Sequence, residues 1–128
     1  MRAFVLSLAT AAALAGAAAQ ADTPSDRSCF SIRDWRDWKA DATRKDTFYI
    51  KVRMHDVYRV QLTDPEPMLQ APMVHLVSKT HGPDMVCNPI DLDLKVSDSG
   101  FMTVPVIVKT LTRLTPEEVA ALPEDSRP

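Results

Sequence analysis

Glycine is scarce in this chain. Three are present, Gly16, Gly82 and Gly100, which argues against Gly-rich loops that cradle a phosphate or a dinucleotide with backbone amides. Cysteine is limited to Cys29 and Cys87, and with no Cys-x-x-Cys spacing there is no redox motif. No basic stripe exists either: 15 basic and 17 acidic residues are interspersed, with a formal net charge of −2. That balance gives neither the electrostatic footprint of a nucleic-acid binder nor a polybasic membrane patch. Beyond the first residues, no apolar run approaches the ~20 residues that a membrane helix needs.

What is present at the start is an export-type segment. Arg2 supplies a short positive region, and Ala3 to Ala15 is an uncharged, Ala-rich stretch. Ala19-Gln20-Ala21 is a small-x-small site, so residues 1–21 read as a signal peptide cut before Asp22, with a cut after Ala19 as the alternative. Cys29 follows Arg27-Ser28, which is no acylation signal. The expectation is a periplasmic or secreted protein with no membrane anchor after cleavage. In such a compartment a pair of cysteines is first of all a disulfide, here Cys29–Cys87, worth about 4 kcal/mol in the chain-entropy picture.

Along the remaining chain, residues 22–28 read as a flexible leader, 29–122 as a single domain and 123–128 as a free tail. Trp35 and Trp38 recur with Ile32 every third residue, and Arg33-Asp34-Trp35 is doubled in Arg36-Asp37-Trp38. That spacing predicts a short helical or 3₁₀ segment with both indoles on one side. They either cap the core or form an aromatic platform for a sugar or a partner. Phe48 to Arg53 and Tyr58 to Leu62 alternate around Met54-His55-Asp56 and predict a hairpin with Lys51, Arg53 and Arg59 on its wet face. Met73 to Val77 is a further strand candidate, and Lys79 to Asp84 a turn. The cleanest alternation is Ile90 to Ser97, with Ile90, Leu92, Leu94 and Val96 turned inward and Asp91 and Asp93 outward. Strands at Phe101 to Val104 and Val106 to Leu114 flank Pro105, which marks an edge or a bulge. Thr115-Pro116-Glu117-Glu118 is a capped helix start, and Pro123 ends that helix, giving residues 115–122. About six short strands and a terminal helix imply an all-β fold, an antiparallel barrel or sandwich.

Few residues offer chemistry. His75, His81 and Cys87 are evenly spaced but match no metal-ligand pattern. Asp91 and Asp93, at i and i+2 of a strand, share a face that Lys95 also occupies, and a solvated face is the simpler reading. No nucleophile elbow is present. No catalytic residue, cofactor or metal is assigned.

The order Cys29-Phe30, Ile32-Arg33-Asp34-Trp35, Tyr58-Arg59-Val60-Gln61-Leu62, Cys87 with Asp91, and Arg113-Leu114-Thr115 resembles a family of small exported bacterial proteins, mostly proteobacterial, classed as a domain of unknown function. Two further family cysteines would fall near Pro67 and near Val104 or Val106, where this chain has none. The resemblance thus implies one bridge lost and Cys29–Cys87 retained. It implies fold and compartment and carries no activity.

Three functional readings follow. The leading one is a non-enzymatic binding or accessory module with an envelope protein as partner, with Trp35, Trp38, Lys79 and His81 as candidate contact residues. The second is a small secreted hydrolase inhibitor presenting the loop Lys79 to Asp84. The third is an enzyme or metal protein that requires His75, His81 and Asp91 to converge.

Overall fold

The computed structural model describes residues 29–80, 84–99 and 102–128. The signal-like segment 1–21, the leader 22–28 and His81 lie outside the described residues. Nine strands are described: β1 (Phe30–Ser31), β2 (Trp35–Ala40), β3 (Thr47–Val52), β4 (Asp56–Leu62), β5 (His75–Thr80), β6 (Met85–Val86), β7 (Leu92–Ser97), β8 (Thr103–Val106) and β9 (Val108–Arg113). One helix, α1 (Pro116–Ala121), follows them. Antiparallel pairing builds a sheet of order β2-β3-β4-β9, a sheet of order β5-β7-β8 and a ribbon of β1 and β6. The fold is all-β and sandwich-like, with no closed barrel.

The two larger sheets share a core. Phe48, Ile50 and Val52 of β3 and Tyr58, Val60 and Leu62 of β4 meet Leu92, Leu94 and Val96 of β7. Phe30 and Val86, opposite each other in the ribbon, are fully buried in the same cluster. The Phe30 and Tyr58 rings lie 4.8 Å apart. Beside this pair, Cys29 and Cys87 are joined by the expected disulfide, which spans 58 positions. A single residue, Ile107, separates β8 from β9, so the chain leaves one sheet and enters the other at a corner. Pro105 sits in β8, an edge strand, where its missing N–H disrupts no second ladder.

The odd-numbered side of β3 is buried too. Tyr49 and Val57 pack with Leu114, Val119 and Leu122, so α1 covers the outer face of the four-stranded sheet. Half of the expected capping box forms: the Thr115 hydroxyl accepts from the Glu118 N–H at 3.2 Å and Pro116 stands at the first position, while the Glu118 carboxylate accepts from the Thr115 hydroxyl at 3.3 Å and not from its backbone N–H.

Four local expectations change. Trp35 and Trp38 lie in strand β2 and not in a helix; only Ile32–Asp34 forms a 3₁₀ turn. Trp35 faces Val52, Asp37 faces Lys51 and Trp38 faces Ile50, so Arg36 is an extra residue in a β-bulge. A bulge puts residues i and i+3 on the same side, which imitates helical spacing. Ile90 does not begin the strand: Pro89–Asp91 is a 3₁₀ turn, and β7 starts at Leu92. β5 begins two residues later than expected and runs to Thr80, six rungs against β7. Finally, residues 123–128 are docked. Glu124–Ser126 forms a turn, and the Ser126 Oγ, fully buried, accepts from the Ala42 N–H at 2.9 Å. The Arg127 guanidinium donates to the carbonyls of Ala120 and Leu122, capping the open end of α1.

Candidate functional site

The corner between the sheets creates a concave surface. Pairing of β7 with β8 ends at Leu94 opposite Val106, because the chain bends away at Ile107. The space where β8 would have continued beside Leu92 is open. It forms a shallow cleft of about 610 Å³ lined by Asn88, Pro89, Ile90, Leu92, Asp93, Val106, Ile107 and Val108. Ile107 is held in the bend by its carbonyl, which accepts from the Thr63 N–H at 2.9 Å.

The opposite wall is the turn Pro89–Asp91. Asp91 organises it: one carboxylate oxygen, Oδ2, accepts from the Cys87 N–H at 2.9 Å and from the Asn88 N–H at 2.8 Å. Those two N–H groups hold the Asp91 carboxyl below the ordinary aspartate range. The bonds fix the turn with Ile90 projecting outward. Ile90 is 86% exposed and Ile107 71% exposed. Two aliphatic side chains so bare on the rim of one cleft are a local hydrophobic patch, and such patches mark contact surfaces. Burying either against a partner would contribute about 1.5–3 kcal/mol.

The residues singled out from sequence are dispersed. Trp35 and Trp38 are half-buried against the main core. The Trp35 indole N–H donates to the Asp37 carbonyl at 3.0 Å, and the Trp38 ring meets Phe48 edge-on at 6.0 Å. Lys79 lies within β5 opposite Asp93, on the outer face, and so belongs to a ladder and not to a loop. The centre of the suspected inhibitory loop, residues 81–83, lies outside the described residues. His75 faces Ser97 at one end of the β5–β7 ladder, while Asp91 precedes Leu92 at the other. Five rungs separate these ends, roughly 17 Å, so His75 and Asp91 are not brought together. No group of three or more His, Cys, Asp or Glu side chains suited to a metal occurs among the described residues.

Other shifted carboxylates are likewise tied into local structure. Partial burial pushes the Asp41 carboxyl up, but the Thr43 N–H, the Tyr49 and Thr43 hydroxyls and the Arg44 N–H outweigh it and hold it low. The same contact, with burial as the larger cause, raises the Tyr49 hydroxyl to about 12.

Ile90 and Ile107 were not recognised as site residues from sequence. The available signal was the unbroken apolar run Val104-Pro105-Val106-Ile107-Val108, which cannot place every side chain inward. No helix among the described residues is long and apolar enough to cross a membrane. No known protein family, curated protein or solved structure matches the chain.

Proposed function

We propose that this chain is an exported, non-enzymatic binding module that engages an envelope protein through the apolar corner formed by Pro89-Ile90 and Val106-Ile107. The carrying observation is the pair of bare isoleucines on a cleft whose walls are pinned by the Asp91 turn and the Thr63–Ile107 bond. A rigid aliphatic patch presents contact area at low ordering cost, which favours binding. Its occupant is an apolar side chain projecting from the partner, an anchor in a pocket. The disulfide and the export-type start support an oxidising compartment. The resemblance to small exported proteins supports the same placement. The carboxylates described above serve local caps, which suits a scaffold more than acid–base chemistry.

The test is site-specific photo-crosslinking in cells that export the protein. A photoreactive residue replaces Ile90 or Ile107 in two chains and Met54 or Met73 in two controls, whose exposures of 75% and 72% are comparable. The proposal expects one discrete heterologous adduct from positions 90 and 107, absent from 54 and 73, and lost from position 107 when Ile90→Asp is added. Equal yields at all four positions, or an adduct of twice the chain's own mass, would overturn it.

A further inference from the structure

The opposite end of the four-stranded sheet carries a different surface. The bulge in β2 pushes Arg36 out of the ladder, and the indole N–H of Trp35 clasps the bulge at the Asp37 carbonyl. The next strand places Lys51 opposite Asp37. The β3–β4 hairpin places Arg53 beside them, in a left-handed conformation with φ 56°. That region is uncommon for a non-glycine residue and needs local support. It is held by the Arg53 N–H, which donates to the Asp34 carbonyl at 2.8 Å, and by the guanidinium, which meets Asp34 at 3.1 Å and Asp56 at 3.8 Å. Together Arg36, Asp37, Lys51, Arg53 and Met54 line a cleft of about 420 Å³.

Three cations thus share one concavity: Arg53 is paired with Asp34 and Asp56, which leaves Arg36 and Lys51 beside the lining carboxylate of Asp37. Among the described residues Arg36 and Lys51 have no hydrogen-bond or ion-pair partner, while Asp37 has one oxygen engaged by the Trp38 N–H at 2.8 Å. Arg36, Lys51 and Asp37 together carry one net positive charge, which a bound anion would offset. A strained arginine and a bulged arginine on either side of a lysine are devices that aim side chains. Guanidinium forks match the oxygens of a tetrahedral oxyanion, and the ammonium adds a point charge.

We propose that this cleft binds a phosphate group, with Arg36 and Lys51 as its principal ligands and the Arg53 guanidinium orienting it. The site is separate from the apolar corner and does not depend on it. Exposed Met54 at the rim suits an ester carrying an apolar substituent more than the free ion.

The experiment is a titration of the full mature chain, followed through Arg side-chain and backbone amide resonances at constant ionic strength. The probes are inorganic phosphate, a short-chain alkyl phosphate and acetate. The expected result is saturable shifts of the Arg36, Lys51 and Arg53 signals with one common midpoint. The alkyl ester should bind more tightly than inorganic phosphate, and acetate more weakly. Arg36→Ala or Lys51→Ala should each weaken binding about tenfold, with Arg36→Lys between. Unchanged amide spectra elsewhere would establish that substitutions at exposed Arg36 and half-buried Lys51 leave the fold intact. Linear, unsaturated shifts, or saturation unaltered by Arg36→Ala, would overturn the proposal.

Discussion

The two large sheets are made from similar residues and are used differently. In β3, five of six residues are buried, because Phe48, Ile50 and Val52 meet the other sheet while Tyr49 lies under the C-terminal helix. In β7 burial alternates strictly: Leu92, Leu94 and Val96 point inward, and Asp93, Lys95 and Ser97 on the other face are half-buried. The four-stranded sheet is therefore a middle layer, while the three-stranded sheet is an outer wall. On β5 the Ser78 Oγ is buried without a hydrogen-bond partner among the described residues. The difference teaches where this small domain stores its stability and where it can offer surface: the bare isoleucines sit where the wall turns into the middle layer.

The largest effect should come from emptying the middle layer. Phe48→Ala should cost about 3–5 kcal/mol in denaturant unfolding, whereas Val77→Ala on the outer face of the wall should stay within about 0.5 kcal/mol. A cost at Val77 that approaches that at Phe48 would break the comparison. Next comes the bridge. Cys29→Ser with Cys87→Ser should cost about 2–4 kcal/mol, seen as a lower denaturant midpoint. Loosening should be concentrated in β1, β6 and the Asp91 turn by hydrogen exchange.

Smaller is the Tyr49–Asp41 hydrogen bond of 2.8 Å on the helix-covered face. Tyr49→Phe should cost about 1 kcal/mol at neutral pH. The sign of its pH dependence is fixed by the raised hydroxyl, ordinarily 10.0 and here about 12. The unfolded chain releases this proton first, so the contribution is intact below pH 10 and is lost as pH rises toward 12. Asp41 acts at the other extreme. Its depressed carboxyl contributes above the ordinary value of 3.8 and is lost as pH falls below that value through the folded one. Alkaline unfolding of Tyr49→Phe should show a shallower descending limb than the parent, with the remainder due to Tyr58, whose hydroxyl is also raised by burial. The smallest change should be a gain: Ser78→Ala removes an unsatisfied buried hydroxyl and should raise stability by up to about 1 kcal/mol.

Much of this architecture was legible because it is local. The β3–β4 hairpin follows from two alternating runs with a short link, β7 from its period of two, and α1 from its cap. The disulfide follows from two cysteines in an export-type chain. What escaped depends on distant partners. The period of three at Ile32, Trp35 and Trp38 mimics a helix because a bulge restores facing after one extra residue. Ile90 continues the alternation of β7 in sequence, but Pro89 and the Asp91 carboxylate turn the backbone before the strand begins. Burial of Ser126 depends on Ala42, 84 positions away, and no periodicity records such a pairing. The apolar corner depends on where β8 parts from β7, a property of two sheets and not of one segment.

The proposed function requires contact at this corner and not on the outer face of the three-stranded sheet beside it. Hydrogen exchange by mass spectrometry, on the chain alone and with the protein captured by crosslinking from positions 90 and 107, measures this directly. New protection is expected at residues 88–92 and 103–108, with the amides of β5 unchanged. Protection on β5 with the corner unchanged would contradict it.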